Sequence, residues 1–155
     1  MLNPDYRDIL SAFIAEEVEF LLVGAYALAA HGSPRATGDL DLWIHPSAEN
    51  ARRTWRALVV FGAPLENLTE SDLSTPGTVI QIGREPRRID LLTTIDGVGF
   101  DEAWSAKTRI QVDGMTIPVI GRDEFLKNKR ATGRHKDLAD VERLEAEDDA
   151  IGRGT

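Results

Sequence analysis

Asp39 and Asp41 are separated by one residue in the run Gly38-Asp39-Leu40-Asp41-Leu42-Trp43-Ile44. On an extended strand, positions i and i+2 project from the same face, so both carboxylates look the same way. A third carboxylate, Asp90, lies inside the apolar run Ile89-Asp90-Leu91-Leu92. Three carboxylates brought to one sheet repel one another unless cations hold them, and such hard oxygen donors suit divalent metals. Phosphoryl transfer uses this kind of set: metal ions neutralise a triphosphate, activate an attacking hydroxyl and stabilise the leaving pyrophosphate. In that chemistry Asp39 and Asp41 are expected to bridge two Mg2+ ions. Asp90 is expected to ligate one metal and to take the proton of the attacking hydroxyl. A bare Asp-x-Asp is common by chance and also reads as the solvent face of a half-exposed strand, so the neighbouring residues have to decide.

The first neighbour is Gly24-Ala25, which follows an apolar run and opens a segment of small helix formers. Free N–H groups at a helix start suit phosphate, and a glycine there permits close backbone approach. A plain strand-to-helix turn would use the same residues. Arg35 and Thr37 precede the acidic pair; they could contact phosphate or a base, or shape the loop. His31 reads as a polar residue closing a helix rather than as a catalyst. Arg87 and Arg88 can pair with Asp90 or with substrate. Near the C-terminus Lys127, Lys129, Arg130, Arg134, His135 and Lys136 crowd one stretch. Lys129 and Lys136 are seven residues apart and so are expected on one helix face. Asp137 and Asp140 beside them allow a second reading, a solvated face balanced by ion pairs. Trp43, Trp55 and Trp104 read as packing residues.

The chain has 155 residues, no cysteine and a net charge of −8. One domain over residues 1–150 with a short tail, 151–155, is the expectation at this length. Disulfides, thiolate zinc sites and cysteine catalysis are excluded, and a reducing cytoplasm is the expected compartment. No apolar run approaches the roughly 20 residues needed to cross a bilayer, so no membrane partner is expected. A generic polyanion binder would be basic. A chain this acidic has to handle phosphate locally, through metal ions or its single basic stretch.

The elements that must position these residues follow from pattern. Apolar residues at three- and four-residue spacing predict a helix over 4–18, capped by Asn3 with Pro4 at its first position. Strands are expected at 20–23 and 40–45, with a short helix at 25–30 between them. A helix over 48–61 ends at Gly62. A loop over 63–77 carries one helical turn. Strands at 78–82 and 88–95 form a hairpin, and a short helix covers 101–106. Asp113-Gly114 is the strongest hairpin signal in the chain, joining strands 109–112 and 115–119. A last helix runs from 122 to about 148 with a break at Gly133. The expected class is α/β (α+β), a mixed and mostly antiparallel sheet flanked by helices.

Taken together, Val23-Gly24-Ala25, Asp39-Leu40-Asp41 and Arg88-Ile89-Asp90 resemble the nucleotidyltransferase superfamily of the polymerase-β type. The segment from Phe125 to Asp140 is similar to the tail of small bacterial proteins of the AbiEii type, the toxins of toxin–antitoxin pairs. The resemblance spans residues 20–141. It implies a nucleotidyltransferase fold with a C-terminal helical segment, in which Gly24 and Ala25 hold a triphosphate. It also implies metals on Asp39, Asp41 and Asp90, with Lys129 and Lys136 contacting phosphate. The expected activity is Mg2+-dependent transfer of a nucleoside monophosphate from ATP or another NTP to a hydroxyl of a protein, RNA or small-molecule acceptor. Many members have serine where this chain has Ala25, so one phosphate contact is missing. That departure supports the rival reading, a module without turnover that binds a toxin or antitoxin partner. Retention of three mutually repelling carboxylates favours the enzyme. A metal-dependent hydrolase would use the same carboxylates but leaves the Gly24 helix start without a purpose. The acceptor, the preferred base and the oligomeric state are not encoded in any motif of the chain.

Overall fold

The computed structural model describes residues 2–32 and 38–153, with side chains to residue 146. Helix α1 (Pro4–Ala15) begins as its sequence requires, with the Asn3 side chain accepting the Tyr6 N–H at 3.0 Å. It buries Tyr6, Ile9, Leu10, Ala12 and Phe13 and stops three residues short of the expected end. There the Val18 N–H bonds the Phe13 carbonyl and the Glu17 N–H bonds that of Ile14, with Glu17 at φ 57. This closure is usually built on a glycine, and the glutamate in its place hides it in the sequence.

Strand β1 (Phe20–Val23) runs directly into helix α2 (Gly24–Ala30), and strand β2 (Leu40–Ile44) leads to helix α3 (Ala48–Phe61). Gly62 at φ 90 ends α3. A 3-10 helix (Glu70–Ser74) precedes strands β3 (Val79–Ile82) and β4 (Ile89–Leu92). Helix α4 (Phe100–Ser105), strands β5 (Thr108–Val112) and β6 (Met115–Val119), and helices α5 (Arg122–Thr132) and α6 (His135–Arg153) complete the chain. Gly133, at φ 66, caps α5, so the break expected there divides the segment into two helices. Helix α6 continues to Arg153, three residues into the segment expected as a tail.

The six strands form one sheet in the order β3-β4-β2-β1-β6-β5. Neighbours β1/β2, β3/β4 and β5/β6 are antiparallel, while β2/β4 and β1/β6 are parallel. The sheet is therefore mixed and mostly antiparallel, as expected. The central strands are buried on both faces: every residue of β1 is buried, as are Leu40, Leu42, Trp43 and Ile44 of β2. That accounts for their near-continuous apolar sequence. On the carboxylate face of β2 the polar character ends abruptly. Trp43, two residues after Asp41, is 1% exposed, packs edge-on against Phe100 at 5.0 Å, and donates its Nε1–H to the Thr93 carbonyl. Among the described residues no helix is long and apolar enough to cross a membrane.

Candidate active site

The sheet order brings three distant segments together. Across β1 and β2, Val23 stands opposite Asp41; across β2 and β4, Asp41 stands opposite Asp90. Asp39 lies one residue before β2, and Gly24 follows Val23 as the first residue of α2. Gly24 has φ +70, and a Cβ built on it would sit 2.2 Å from Oδ2 of Asp41. Only glycine lets the backbone turn here while lying against that carboxylate.

Arg88 ties the acidic group. Its Nη2 donates to Asp39 Oδ2 at 2.7 Å, and its Nε donates to Asp90 Oδ1 at 2.9 Å. A further bond from Nη2 reaches Asp90 Oδ2 at 3.2 Å. Asp41 meets the carboxyl of Asp90 rather than the guanidinium. Burial, then the charges of Asp90 and Asp39, push its carboxyl up to about 7, with Lys129 pulling in the opposite direction. Lys129 alone does not offset the burial and the two acidic neighbours. The donor chemistry, three carboxylates beside one another on adjacent strands, suits a hard divalent ion. In the arrangement described, with Arg88 between Asp39 and Asp90, no three acidic or imidazole groups among the described residues are gathered closely enough for one metal.

Behind these carboxylates lies Tyr6, 1% exposed. Its hydroxyl contacts the carbonyls of Gly38 and Arg88, one residue before Asp39 and two before Asp90. A hydroxyl has a single hydrogen, so it donates to one carbonyl at a time. Burial first, then Tyr26, Asp39 and Asp41, push this phenol up to about 12, so it stays protonated. Helix α1 is thus fastened to the start of both carboxylate-bearing strands.

Opposite the carboxylates stands the α5–α6 corner. A cleft of about 400 Å³ is lined by Gly24, Ala25, Gly38, Asp39, Asp41, Glu85, Lys129, Arg134, Lys136, Asp137 and Asp140, together with Pro86. A second cavity of similar size, lined by Asp90, Thr94, Asp96, Asn128 and Thr132 among others, shares Gly24, Asp41, Lys129 and Arg134 with it. Asp137 organises the corner, its side chain 1% exposed. It accepts from Lys129 Nζ at 3.2 Å, from Arg134 Nε at 2.6 Å and from the Thr132 hydroxyl at 2.6 Å. Burial alone would raise its pKa; the bonds from Thr132 and Arg134 and the charge of Lys129 outweigh that and hold it at about 2.

The structure therefore gathers Gly24, Ala25, Asp39, Asp41, Asp90, Lys129 and Lys136 around one site. Arg35 and Thr37 lie outside the described residues. One expectation is corrected: Lys129 and Lys136 do not share a helix face. Gly133 turns the chain between them, so Lys129 belongs to α5 and Lys136 to α6, and the corner rather than a helix face brings both to the cleft. The solvated-face reading also fails for Asp137 and Asp140, which are 1% and 2% exposed. His31 is structural, its Nε2 bonding the Ile120 carbonyl at 2.7 Å. Tyr6, Arg134 and Asp137 were not picked out from sequence as site residues. For Arg134 and Asp137 the signal is present, since they flank Lys136 in the basic stretch; Tyr6, 32 and 82 residues from its partners Gly38 and Arg88, gives none.

A model of the family described as "Nucleotidyl transferase of unknown function (DUF2204)" matches residues 3–151. No curated protein matches the chain in sequence. Among solved structures, the lincosamide antibiotic adenylyltransferase LnuA, determined with lincomycin bound, superposes with a TM-score of 0.61 at 14% identity, covering 94% of this chain and 97% of its own. A putative nucleotidyltransferase (TM1012) from Thermotoga maritima superposes with a TM-score of 0.57 at 18% identity, covering 99% and 96%. At these identities the two structures establish a common fold.

Proposed function

Because the chain belongs to this nucleotidyl transferase family, we propose that it moves a nucleoside monophosphate from an NTP to an acceptor hydroxyl and releases pyrophosphate. The observation that carries the reading is the meeting of Asp39, Asp41 and Asp90 with a glycine-opened helix on one side and Lys129, Arg134 and Lys136 on the other. Asp39, Asp41 and Asp90 would hold Mg2+, which when bound supplies charge neutralisation for the triphosphate and the leaving pyrophosphate. The remaining work falls to side chains. Gly24 and Ala25 present backbone to the triphosphate, and Lys129, Arg134 and Lys136 balance its charge. Asp90, facing the second cavity, is the group to accept the acceptor's proton as the new P–O bond forms. One catalytic domain over residues 1–150 is sufficient for this chemistry, and the cytoplasm, where NTP is plentiful, is its expected compartment.

The test is incorporation of label from α-labelled NTPs with pyrophosphate release, across an acceptor panel of protein, RNA and small molecules. Lincomycin belongs in that panel because LnuA is an adenylyltransferase of lincosamides. Asp39→Ala is expected to abolish transfer; undiminished transfer in that variant would overturn the assignment. The narrower reading, a toxin with an antitoxin as partner, rests on the resemblance of residues 125–140. It predicts growth arrest on expression that Asp39→Ala relieves. Ala25 favours a module that binds nucleotide or partner without turnover, and that reading predicts NTP binding with no pyrophosphate formed.

A further inference from the structure

We propose that Arg88 is a built-in counter-ion that occupies the metal-binding carboxylates until a metal displaces it. The inference rests on the metal role proposed above for Asp39, Asp41 and Asp90. Arg88 bonds two of the three, with distances of 2.7 and 2.9 Å to Asp39 and Asp90. Its planar fork suits this bridging in a way that a lysine cannot reproduce. The same contacts block the site, because each carboxylate oxygen given to Arg88 is withheld from a metal. A second partner is already in place for the displaced guanidinium. Glu85, 70% exposed and lining the main cleft, lies 3.3 Å from Nη1 of Arg88. Arg88 is therefore a positioning residue. It balances two like charges and makes metal binding weak until the entering group offers more than the guanidinium does.

The experiment is a titration of the nucleotide-free protein with Mn2+, followed by electron paramagnetic resonance of the free ion. Arg88→Gln is expected to bind Mn2+ about tenfold more tightly than wild type, since two partly exposed ion pairs no longer compete. Arg87→Gln removes the same charge from the exposed neighbouring residue and is expected to bind as wild type does. Arg88→Lys, which keeps a cation but not the fork, is expected to fall between, and it decides the matter if Arg88→Gln does not fold by near-ultraviolet circular dichroism. Equal affinity in wild type, Arg88→Gln and Arg88→Lys would overturn the inference, as would equal gains from Arg87→Gln and Arg88→Gln. Asp41→Asn separates this failure from failure of the metal assignment. If Asp41→Asn lowers Mn2+ affinity, the carboxylate site stands whatever Arg88 does. If no variant binds Mn2+ at that site, with or without NTP, both fall.

Discussion

Gly24→Ala separates two roles of one residue. The first is conformational: at φ +70 an alanine sits in the left-handed region, which costs an L-residue roughly 1–2 kcal/mol. In a protein of this size that lowers Tm by roughly 2–8 °C. The second role is steric. The new Cβ would be 2.2 Å from Asp41 Oδ2, 3.0 Å from its Cγ and 3.2 Å from its Cβ, against ordinary contact from 3.4 Å. The severest conflict, with Oδ2, is at the free end of a side chain, so the fold relieves most of the clash by moving the carboxylate. That carboxylate is the one proposed to hold metal, and a displacement near 1 Å at a reacting site costs about 100-fold. Scanning calorimetry should therefore record a modest loss of stability while Mg·ATP affinity and NTP turnover fall steeply. In an Asp41→Ala background, where Oδ2 and Cγ are gone, Gly24→Ala should retain its stability cost but reduce Mg·ATP binding no further. A Gly24→Ala protein that binds Mg·ATP as wild type does would refute the reasoning, and so would full additivity of the two substitutions in binding.

Other consequences are open to measurement. Asp137, held at about 2, has a folded-state pKa below its unfolded value. Its contribution is thus present above about pH 4 and lost as pH falls toward 2, amounting to at most about 2 kcal/mol after solvent screening. Urea unfolding of wild type should weaken through that window, and the Asp137→Asn protein, which lacks the group, should show correspondingly less of the slope. Asp137→Ala leaves Lys129 without its buried partner and should cost about 3 kcal/mol or more at neutral pH, measured by the same unfolding. Tyr6→Phe leaves the Gly38 and Arg88 carbonyls without the hydroxyl and should cost about 1–3 kcal/mol. Gly133→Ala meets only the Arg130 carbonyl at 3.9 Å, so backbone strain alone should set its penalty, roughly 1–2 kcal/mol by thermal unfolding.

The parts of this molecule that were legible in sequence are those coded locally. Asn3-Pro4, Gly62 and Asp113-Gly114 each specify a cap or a turn by themselves, and the elements beside them fall where pattern predicts. The carboxylates were legible because two of them are i and i+2 on one strand. Their convergence with Asp90 depends on β4 lying beside β2 in parallel, a pairing across some fifty residues that periodicity does not encode. The α5–α6 corner was misread for a related reason. Spacing of seven places Lys129 and Lys136 on one face only if the helix is unbroken, and the left-handed Gly133 breaks it. Charge also misled: Asp137 looks like a solvated partner for its neighbours, yet it is buried because it satisfies three donors at once. Tyr6 and Arg88 act through chain segments far from them or through choices among several acidic partners, and such choices are settled by tertiary packing.

The most direct measurement is calorimetric titration of Mg·ATP, and of the other NTPs with Mg2+, into wild type and into an Asp39→Asn/Asp41→Asn protein. The account predicts Mg2+-dependent binding by wild type and none by the variant, with both equally folded. Binding that survives loss of both carboxylates, or a folded wild type that binds no NTP at all, would contradict it.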